Sequence, residues 1–159
     1  MFHHKTLRHW SILGLFAIAI GIATTGAQPS SFMEKLTGKT NEPVDPELAF
    51  SVKGRAIGSQ QMALEFSIRP DYYLYRERIS VVLKDSPGWR IKNTVFPPTT
   101  IKEDKIFGRS PVYTKSFSVP VQLEGKSGSP ASLLVQYQGC FEPLGVCYPP
   151  ATAIIKVTP

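Results

Sequence analysis

The sequence predicts an all-β, immunoglobulin-like β-sandwich, and three observations support this prediction. Met62, Leu64, Phe66 and Ile68 alternate with polar or small residues, which is the two-residue period of a half-buried strand. Fourteen prolines and twelve glycines divide the 159 residues into short segments, as in β-rich domains with many turns. Beyond the first 27 residues, no apolar pattern with a helical period reaches the length of a helix.

Strand-like runs follow one another along the chain, separated by turn signals. The runs are 48–52, 62–68, 72–75, 79–83, 89–96, 113–123, 133–137 and 153–157. Pro70-Asp71 and the sequence DSPG at 85–88 mark two of the turns. Residues 99–111 are predicted to be a polar loop, and Pro120 predicts an edge position or a bulge for its strand. Seven or eight short strands at this spacing are typical of a β-sandwich.

The chain begins with the pattern of a secretory signal peptide. Lys5 and Arg8 precede an apolar run over 11–23, and small residues follow up to Ala27. The apolar run is shorter than the roughly 18 residues that favour a membrane-spanning helix, although an uncleaved anchor is the competing interpretation. The predicted organisation is a signal peptide or anchor over 1–27, a flexible linker over 28–46 and a folded domain over 47–159. The domain is therefore expected outside the cytoplasm, where disulfides persist.

The charge and the histidine content exclude several function classes. The chain has 18 basic and 12 acidic residues, and removing Lys5 and Arg8 leaves 16 against 12, or +4, with both signs interspersed. No basic stripe of the kind that binds nucleic acid is present. All three histidines, His3, His4 and His9, lie in the predicted leader, which excludes serine-type triads, Cys-His pairs and histidine-containing metal sites from the mature domain.

The two cysteines, Cys140 and Cys147, form the candidate site. Strand-like runs flank them, and a hairpin that opposes them would bring their Cα atoms to about 4.5–5.5 Å, which overlaps the range that a disulfide needs. A structural staple over so short a loop would contribute about 2.5 kcal/mol in the chain-entropy model. A reactive dithiol and a Cu(I) site of two thiolates are the alternatives. Gly139 would allow a partner's backbone to approach, and nearby aromatic residues would exclude solvent.

Four segments resemble the N-terminal periplasmic domain of the DsbD thiol:disulfide interchange family, over about residues 45–157. The segments are Tyr137-Gln138-Gly139-Cys140 with Cys147-Tyr148-Pro149-Pro150, Asp71-Tyr72-Tyr73-Leu74-Tyr75-Arg76, Glu103-Asp104 with Phe107-Gly108-Arg109-Ser110 and Tyr113, and Asp45 to Phe50. The resemblance implies an immunoglobulin-like sandwich whose cysteine pair sits on a hairpin under a cap loop and cycles between dithiol and disulfide. It implies no cofactor and no metal.

The resemblance also implies the site and the partners. Cys140 and Cys147 would be catalytic, with Cys147 forming the mixed disulfide with a partner. Lining and cap residues would be Tyr73, Tyr75, Asp104, Ile106, Phe107 and Gly108. The partners would be thioredoxin-like periplasmic oxidoreductases. Because the sequence continues into no further domain after the sandwich, a separately encoded membrane or thioredoxin-like electron donor is expected.

Besides the missing further domain, two departures from the family pattern are visible. Six residues separate the cysteines where the family usually has five, and Ile106 occupies the cap position where the family has Phe, with Phe107 beside it. The leading hypothesis is an exported protein-disulfide reductase that relays reducing equivalents between redox partners. The alternative is a non-catalytic β-sandwich binding module stapled by a structural disulfide.

Overall fold

A computed structural model describes residues 42–125 and 130–157. The predicted signal peptide, and the predicted linker up to residue 41, lie outside the described residues. Among those that are described, no helix has the length and apolar character needed to cross a membrane. Residues 42–46 of the predicted linker contact the domain, because the Val44 N–H donates to the Tyr72 hydroxyl (2.8 Å) and the Tyr148 hydroxyl donates to the Val44 carbonyl (2.5 Å).

The described chain forms twelve strands with two short helical segments. They are α1 (Pro46–Ala49), β1 (Phe50–Gly58), β2 (Gln61–Ile68), β3 (Tyr72–Tyr75), a 3₁₀ turn (Arg76–Arg78), β4 (Ser80–Leu83), β5 (Arg90–Thr94), β6 (Thr100–Asp104), β7 (Gly108–Tyr113), β8 (Phe117–Glu124), β9 (Ala131–Tyr137), β10 (Gly139–Phe141), β11 (Val146–Cys147) and β12 (Ala151–Val157). The predicted all-β sandwich, with the cysteines on a hairpin, is confirmed.

Three antiparallel sheets build the sandwich. Their strand orders are β1-β2-β8-β5, β11-β10-β3-β7-β6 and β12-β9-β4. The alternating residues of β2 point inwards and meet inward residues of β3, β8 and β9, because successive side chains of a strand point to opposite faces. We call this cluster the main core. Its most deeply buried members include Leu64, Phe66, Tyr72, Leu74, Val121 and Leu133.

The predicted polar loop over 99–111 is wrong, because β6 and β7 pair there as a hairpin. In that hairpin Thr100 lies opposite Val112, and Asp104 lies opposite Gly108. Strand β6 is the last strand of its sheet, so most of its side chains face water and its composition is polar. Polar residues on an exposed edge strand therefore produced the pattern of a loop.

Three smaller expectations also differ from the structure. The predicted strand over 48–52 begins only at Phe50, because Pro46 starts a helical turn in which the Asp45 carbonyl accepts the N–H groups of Leu48 and Ala49. The predicted strand over 113–123 is two strands in different sheets, separated at 114–116.

Pro120 lies in an interior strand rather than at an edge. It occupies β8, which has β2 on one side and β5 on the other. Its carbonyl accepts the Val95 N–H just beyond the end of β5, so the backbone of Pro120 faces β5 and not β2. Because β5 has ended at this level, the absence of an N–H on Pro120 removes no hydrogen bond between paired strands. Proline is thus tolerated inside this sheet because its partner strand ends at the same level.

Candidate functional site

The two cysteines face each other across the β10–β11 hairpin and form a disulfide. Cys140 pairs with Cys147, with their Cα atoms 3.9 Å apart, and Phe141 pairs with Val146. The hairpin turn therefore comprises the four residues 142–145, and Gly145 has a positive φ of 63° that suits a residue without a side chain. The predicted hairpin with opposed cysteines is confirmed, although the Cα separation is shorter than the predicted value of about 4.5–5.5 Å.

The two sulfur atoms differ in their accessibility. Cys140 lies between β3 and β11 and is fully buried. Cys147 lies on the last strand of this sheet and is only half-buried. An incoming protein thiol therefore has a route to Cys147 and none to Cys140.

Strand β3 supplies the floor of the site. Tyr73 and Tyr75 point to the same face as Cys140, and together with Val112 they form a small buried cluster, which we call the cap cluster. The Tyr75 hydroxyl lies 3.2 Å from the Sγ of Cys140 and 3.6 Å from that of Cys147. Since disulfide sulfurs carry no proton, the tyrosine must be the donor to sulfur. The predicted lining residues Tyr73 and Tyr75 are thus both next to the disulfide.

Asp104 joins this floor to the cap. Its Oδ2 accepts a hydrogen bond from the Tyr73 hydroxyl, and its Oδ1 accepts the backbone N–H groups of Ile106 (2.7 Å) and Phe107 (2.9 Å). Burial raises the pKa of Asp104, but hydrogen bonds from the two tyrosines and the two backbone groups outweigh it and lower the pKa to about 2. The carboxylate is therefore ionised and holds the β6–β7 turn against β3.

The tyrosines stay protonated over the physiological range. Burial, together with the hydrogen bond to Asp104, raises the pKa of Tyr73 to about 12. Burial and the hydrogen bond to Tyr73 raise the pKa of Tyr75 further. Tyr73 gives its single proton to Asp104, so Tyr75 can donate its own single proton either to the Tyr73 oxygen, 3.4 Å away, or to a sulfur, but not to both at once. A neutral Tyr75 hydroxyl can thus donate to a neighbouring sulfur.

Phe107 covers the site from the β6–β7 turn. Its ring packs edge-on against Tyr75 with centroids 5.0 Å apart, and the Arg78 guanidinium lies 4.6 Å from the centre of the Phe107 ring. The Ile106 side chain is 57% exposed, whereas that of Phe107 is 39% exposed. Gly108 follows with a φ of 66°, which turns the chain back into β7. Of the two neighbouring apolar residues, the structure therefore brings Phe107, and not Ile106, over the tyrosine floor.

An ion pair that the sequence did not reveal ties the cap to the cysteine hairpin. The Lys102 ammonium on β6 pairs with the Glu142 carboxylate in the β10–β11 turn, and it lies 5.1 Å from the centre of the Tyr73 ring. Forty positions separate the two charges in the sequence, and no local pattern predicts such a contact. Arg78 was missed for the same reason, since its contact with Phe107 spans two separate elements.

Gly139 has a different role from the one predicted. A side chain there would collide with the Tyr73 carbonyl oxygen and would approach the Phe50 Cζ to 2.6 Å. The position is buried in the sheet, so no partner backbone reaches it. Glycine is needed because β10 packs closely against its own neighbours, and the expectation of a partner's approach at Gly139 is wrong.

The site also contains atoms that could hold a metal ion. The carboxylate of Asp104 and the sulfurs of Cys140 and Cys147 lie within 4.8 Å of one another. In the disulfide the sulfurs are bonded to each other and are not thiolates, which are the form that binds metals. Metal binding at these atoms would require prior reduction.

Comparison with known proteins identifies relatives for this arrangement. Residues 40–159 match the family model for the N-terminal part of the thiol:disulfide interchange protein DsbD. The DsbD of Cronobacter sakazakii is 35% identical over 116 residues, which cover 73% of this chain and 19% of that protein. The chain thus spans about a fifth of the length of the curated relatives it matches.

Two solved structures from Neisseria meningitidis are also similar. The DsbD N-terminal domain in its reduced form superposes with a TM-score of 0.64 at 30% identity, covering 76% of this chain and 94% of that one. The same domain in a complex with the PilB N-terminal domain gives a TM-score of 0.61 at 29% identity, covering 76% and 91%. The match over three quarters of the sequence, together with the opposed cysteines, shows that this chain belongs to the DsbD N-terminal domain family.

Proposed function

We propose that this domain is an exported thiol-disulfide exchange protein that relays reducing equivalents between redox proteins through Cys140 and Cys147. The observation that carries the proposal is the placement of the disulfide. It joins two neighbouring strands of one hairpin, beneath a cap and beside a hydroxyl donor, rather than joining two different sheets of the sandwich. A bond that only stabilised the fold would gain more by closing a longer loop.

Reduction begins at the half-buried sulfur. The thiolate of a reduced partner attacks the Sγ of Cys147, the bond between Cys147 and Cys140 breaks, and its electron pair leaves on the Sγ of Cys140. The Tyr75 hydroxyl, 3.2 Å from that sulfur, donates a hydrogen bond to the new thiolate. The second partner thiolate then attacks the partner sulfur of the mixed disulfide, which releases Cys147 as a thiolate and leaves the partner oxidised. Both cysteines take protons from water as the pH requires.

The cap limits which thiols take part. Phe107 lies over Tyr75, and Asp104 holds the turn through its bonds to Tyr73 and the backbone. A protein partner that contacts the turn can displace Phe107, whereas a small thiol has no surface with which to do so and reacts more slowly, only when the turn opens by itself. The roles of Tyr73, Tyr75, Asp104, Phe107 and Gly108 are thus to line and cover the disulfide. Ile106 extends from the same turn towards solvent, where a partner would meet it.

The partners are proposed from the relatives. The Neisseria meningitidis DsbD N-terminal domain forms a complex with the PilB N-terminal domain, which supports docking of another protein on this fold. We infer thioredoxin-like periplasmic oxidoreductases as acceptors and a membrane or thioredoxin-like protein as the electron donor. Exchange takes place in the periplasm, where the disulfide state of the described structure is stable.

A redox titration of the purified domain tests the proposal. We expect a midpoint potential between about −300 and −120 mV, within the range of exchange proteins. A thioredoxin-like partner that keeps only its exposed cysteine, supplied as its glutathione adduct, should form a mixed disulfide with Cys147 of the Cys140→Ser variant and release reduced glutathione. The matched Cys147→Ser variant should form none, because Cys140 is buried.

Two results together would favour the stapled binding module instead. One is a potential well below about −300 mV, which characterises structural disulfides. The other is a Cys140→Ser variant that folds but forms no adduct with any thioredoxin-like protein.

A further inference from the structure

The backbone of Cys147 faces away from the rest of the sheet. The Tyr148 N–H donates to the Gly139 carbonyl (3.0 Å), so residues 139 and 148 form a hydrogen-bonded pair. Such pairs alternate with non-hydrogen-bonded pairs along antiparallel strands, so the next pair, Cys140 with Cys147, is non-hydrogen-bonded. The N–H and C=O of Cys147 are therefore directed outwards from β10.

The bonds on the other side of β10 give the same result. The Tyr75 N–H donates to the Gln138 carbonyl (3.1 Å) and the Glu142 N–H donates to the Asp71 carbonyl (2.9 Å). By alternation Cys140 directs its own N–H and C=O towards β3. The backbone N–H and C=O of Cys140 thus both face β3. Those of Cys147 face outwards, so the edge of the sheet has one backbone donor and one backbone acceptor at this residue.

Only one residue of this edge, Cys147, can form both backbone hydrogen bonds with an added strand. Within residues 42–125 and 130–157, β11 is the last strand of its sheet and pairs with β10 alone. Pro149, the next residue whose backbone would face outwards, has no N–H, and Gly145 on the other side has a positive φ and leaves the strand conformation. General strand pairing is therefore prevented, while a short pairing centred on Cys147 is permitted.

We propose that a thiol partner binds by adding an extended segment to β11, with its reactive cysteine directly opposite Cys147. This inference rests on the proposed function and specifies how the partner is recognised. In such a hydrogen-bonded pair the Cα atoms lie about 5.5 Å apart, which is inside the 4.4–6.8 Å range of disulfides. The mixed disulfide and the two backbone hydrogen bonds therefore fit the same geometry.

The pairing also aligns the reacting sulfurs. The existing bond runs across the strands from Cys140 to Cys147, because these residues are directly opposed. A partner sulfur on a third strand would lie in line with these two residues. It therefore attacks the Sγ of Cys147 from the side opposite the Sγ of Cys140. The Sγ of Cys140 leaves with the electron pair as a thiolate. Displacement at a disulfide sulfur proceeds in this manner through the mixed disulfide.

Chemical modification of the probe, rather than of the protein, tests this inference. The probe is a five-residue acetylated peptide amide with a central cysteine flanked by threonine and valine. One variant carries an N-methyl group on the cysteine, which removes the N–H that would donate to the Cys147 carbonyl. The matched control carries the N-methyl group on the preceding residue, whose N–H would face away from β11.

The measurement is the equilibrium constant for exchange of each peptide thiol with the glutathione adduct of the Cys140→Ser variant, which forms the peptide adduct of Cys147 and releases reduced glutathione. Each constant is referenced to the exchange of the same peptide with oxidised glutathione. Methylation at the cysteine should weaken the adduct roughly three- to tenfold, the value of one hydrogen bond, and the control should be within twofold of the parent peptide. The Cys147 amide should exchange its hydrogen at least about tenfold more slowly in the parent adduct than in the β-mercaptoethanol adduct.

Equal constants for all three peptides, with an unprotected Cys147 amide, would overturn the strand-pairing inference and leave the proposed function intact. A Cys147 thiol that forms no adduct with any peptide or with β-mercaptoethanol would overturn both. The β-mercaptoethanol adduct therefore separates the two failures, since it needs a reactive sulfur but no strand.

Discussion

Strand β3 divides its four buried residues between two very different clusters. Tyr72 and Leu74 enter the main core, where residues from all three sheets surround them. Tyr73 and Tyr75 enter the cap cluster, which a hairpin turn covers through Phe107. The strand thus has one face closed by the permanent fold and one face closed by a cover that a partner can displace.

The chemistry of the two clusters differs in the same way. The main core is held by burial of apolar surface, which has no directional requirement. The cap cluster contains two hydroxyls and a disulfide: Tyr73 donates to the Asp104 carboxylate, and Tyr75 lies within reach of both the Tyr73 oxygen and the sulfurs. Stability is therefore expected to reside in the first cluster and control of reactivity in the second.

Removing a core side chain from β3 should have the largest effect on stability. Leu74→Ala should lower the free energy of unfolding by about 3 kcal/mol, since Leu74 is almost fully buried and a cavity would remain. Tyr75→Phe, on the adjacent position of the same strand, should cost at most about 1 kcal/mol, because the ring stays in place. Urea denaturation of the oxidised proteins measures both. Equal losses would show that the two faces of β3 are not energetically distinct.

Removing the cover should change reactivity more than stability. Phe107→Ala uncovers Tyr75, whose hydroxyl lies beside both sulfurs, so reduction by dithiothreitol should be roughly tenfold faster, a change of about 1.4 kcal/mol in the barrier. Ile106→Ala is the matched control in the same turn, and its rate should stay within about twofold, because that side chain faces solvent. The cover is assigned wrongly if the two variants react at the same rate.

The sequence predicted the parts of both clusters that follow from local pattern. The alternation along Met62 to Ile68 identified β2, and the flanking runs identified the cysteine hairpin, because strand periodicity is a local property. The family resemblance supplied Asp104 and Phe107, which the structure brings to Tyr73 and Tyr75 beside the disulfide.

The rest depends on contacts between distant segments or on exposure to water. The sequence predicts a loop where β6 and β7 pair, because an edge strand in water needs no apolar period. The Lys102–Glu142 pair and the close packing around Gly139 arise only when separate strands meet. Residue type alone identified Gly139 as permissive for a partner, whereas the folded chain uses that space itself.

The anchoring carboxylate should make the stability of the cap depend on pH. The folded pKa of Asp104, about 2, lies below the unfolded value near 3.9, so its contribution is present above pH 4 and is lost as the pH falls through 2. Because the carboxylate is partly solvated, we expect Asp104→Asn to lower the free energy of unfolding by only about 1 kcal/mol at pH 6. Urea denaturation measures the difference in the free energy of unfolding between wild type and Asp104→Asn. At pH 2 this gap should shrink to a small fraction of its value at pH 6. A gap independent of pH would contradict an ionic role for Asp104.

The smallest expected effect concerns the ion pair that joins the cap strand to the cysteine hairpin. Glu142→Gln should change the free energy of unfolding by less than about 0.5 kcal/mol, as for other surface pairs, but should raise the rate of reduction by dithiothreitol about twofold. Its matched control is Glu124→Gln, which breaks the exposed pair with Arg90 on a sheet that carries no cysteine. The control should change stability by a similar amount and leave the reduction rate unaltered. Since both substitutions remove one carboxylate charge, a rate change shared by both would point to net charge, and a change confined to Glu142→Gln would locate the restraint between β6 and the β10–β11 turn.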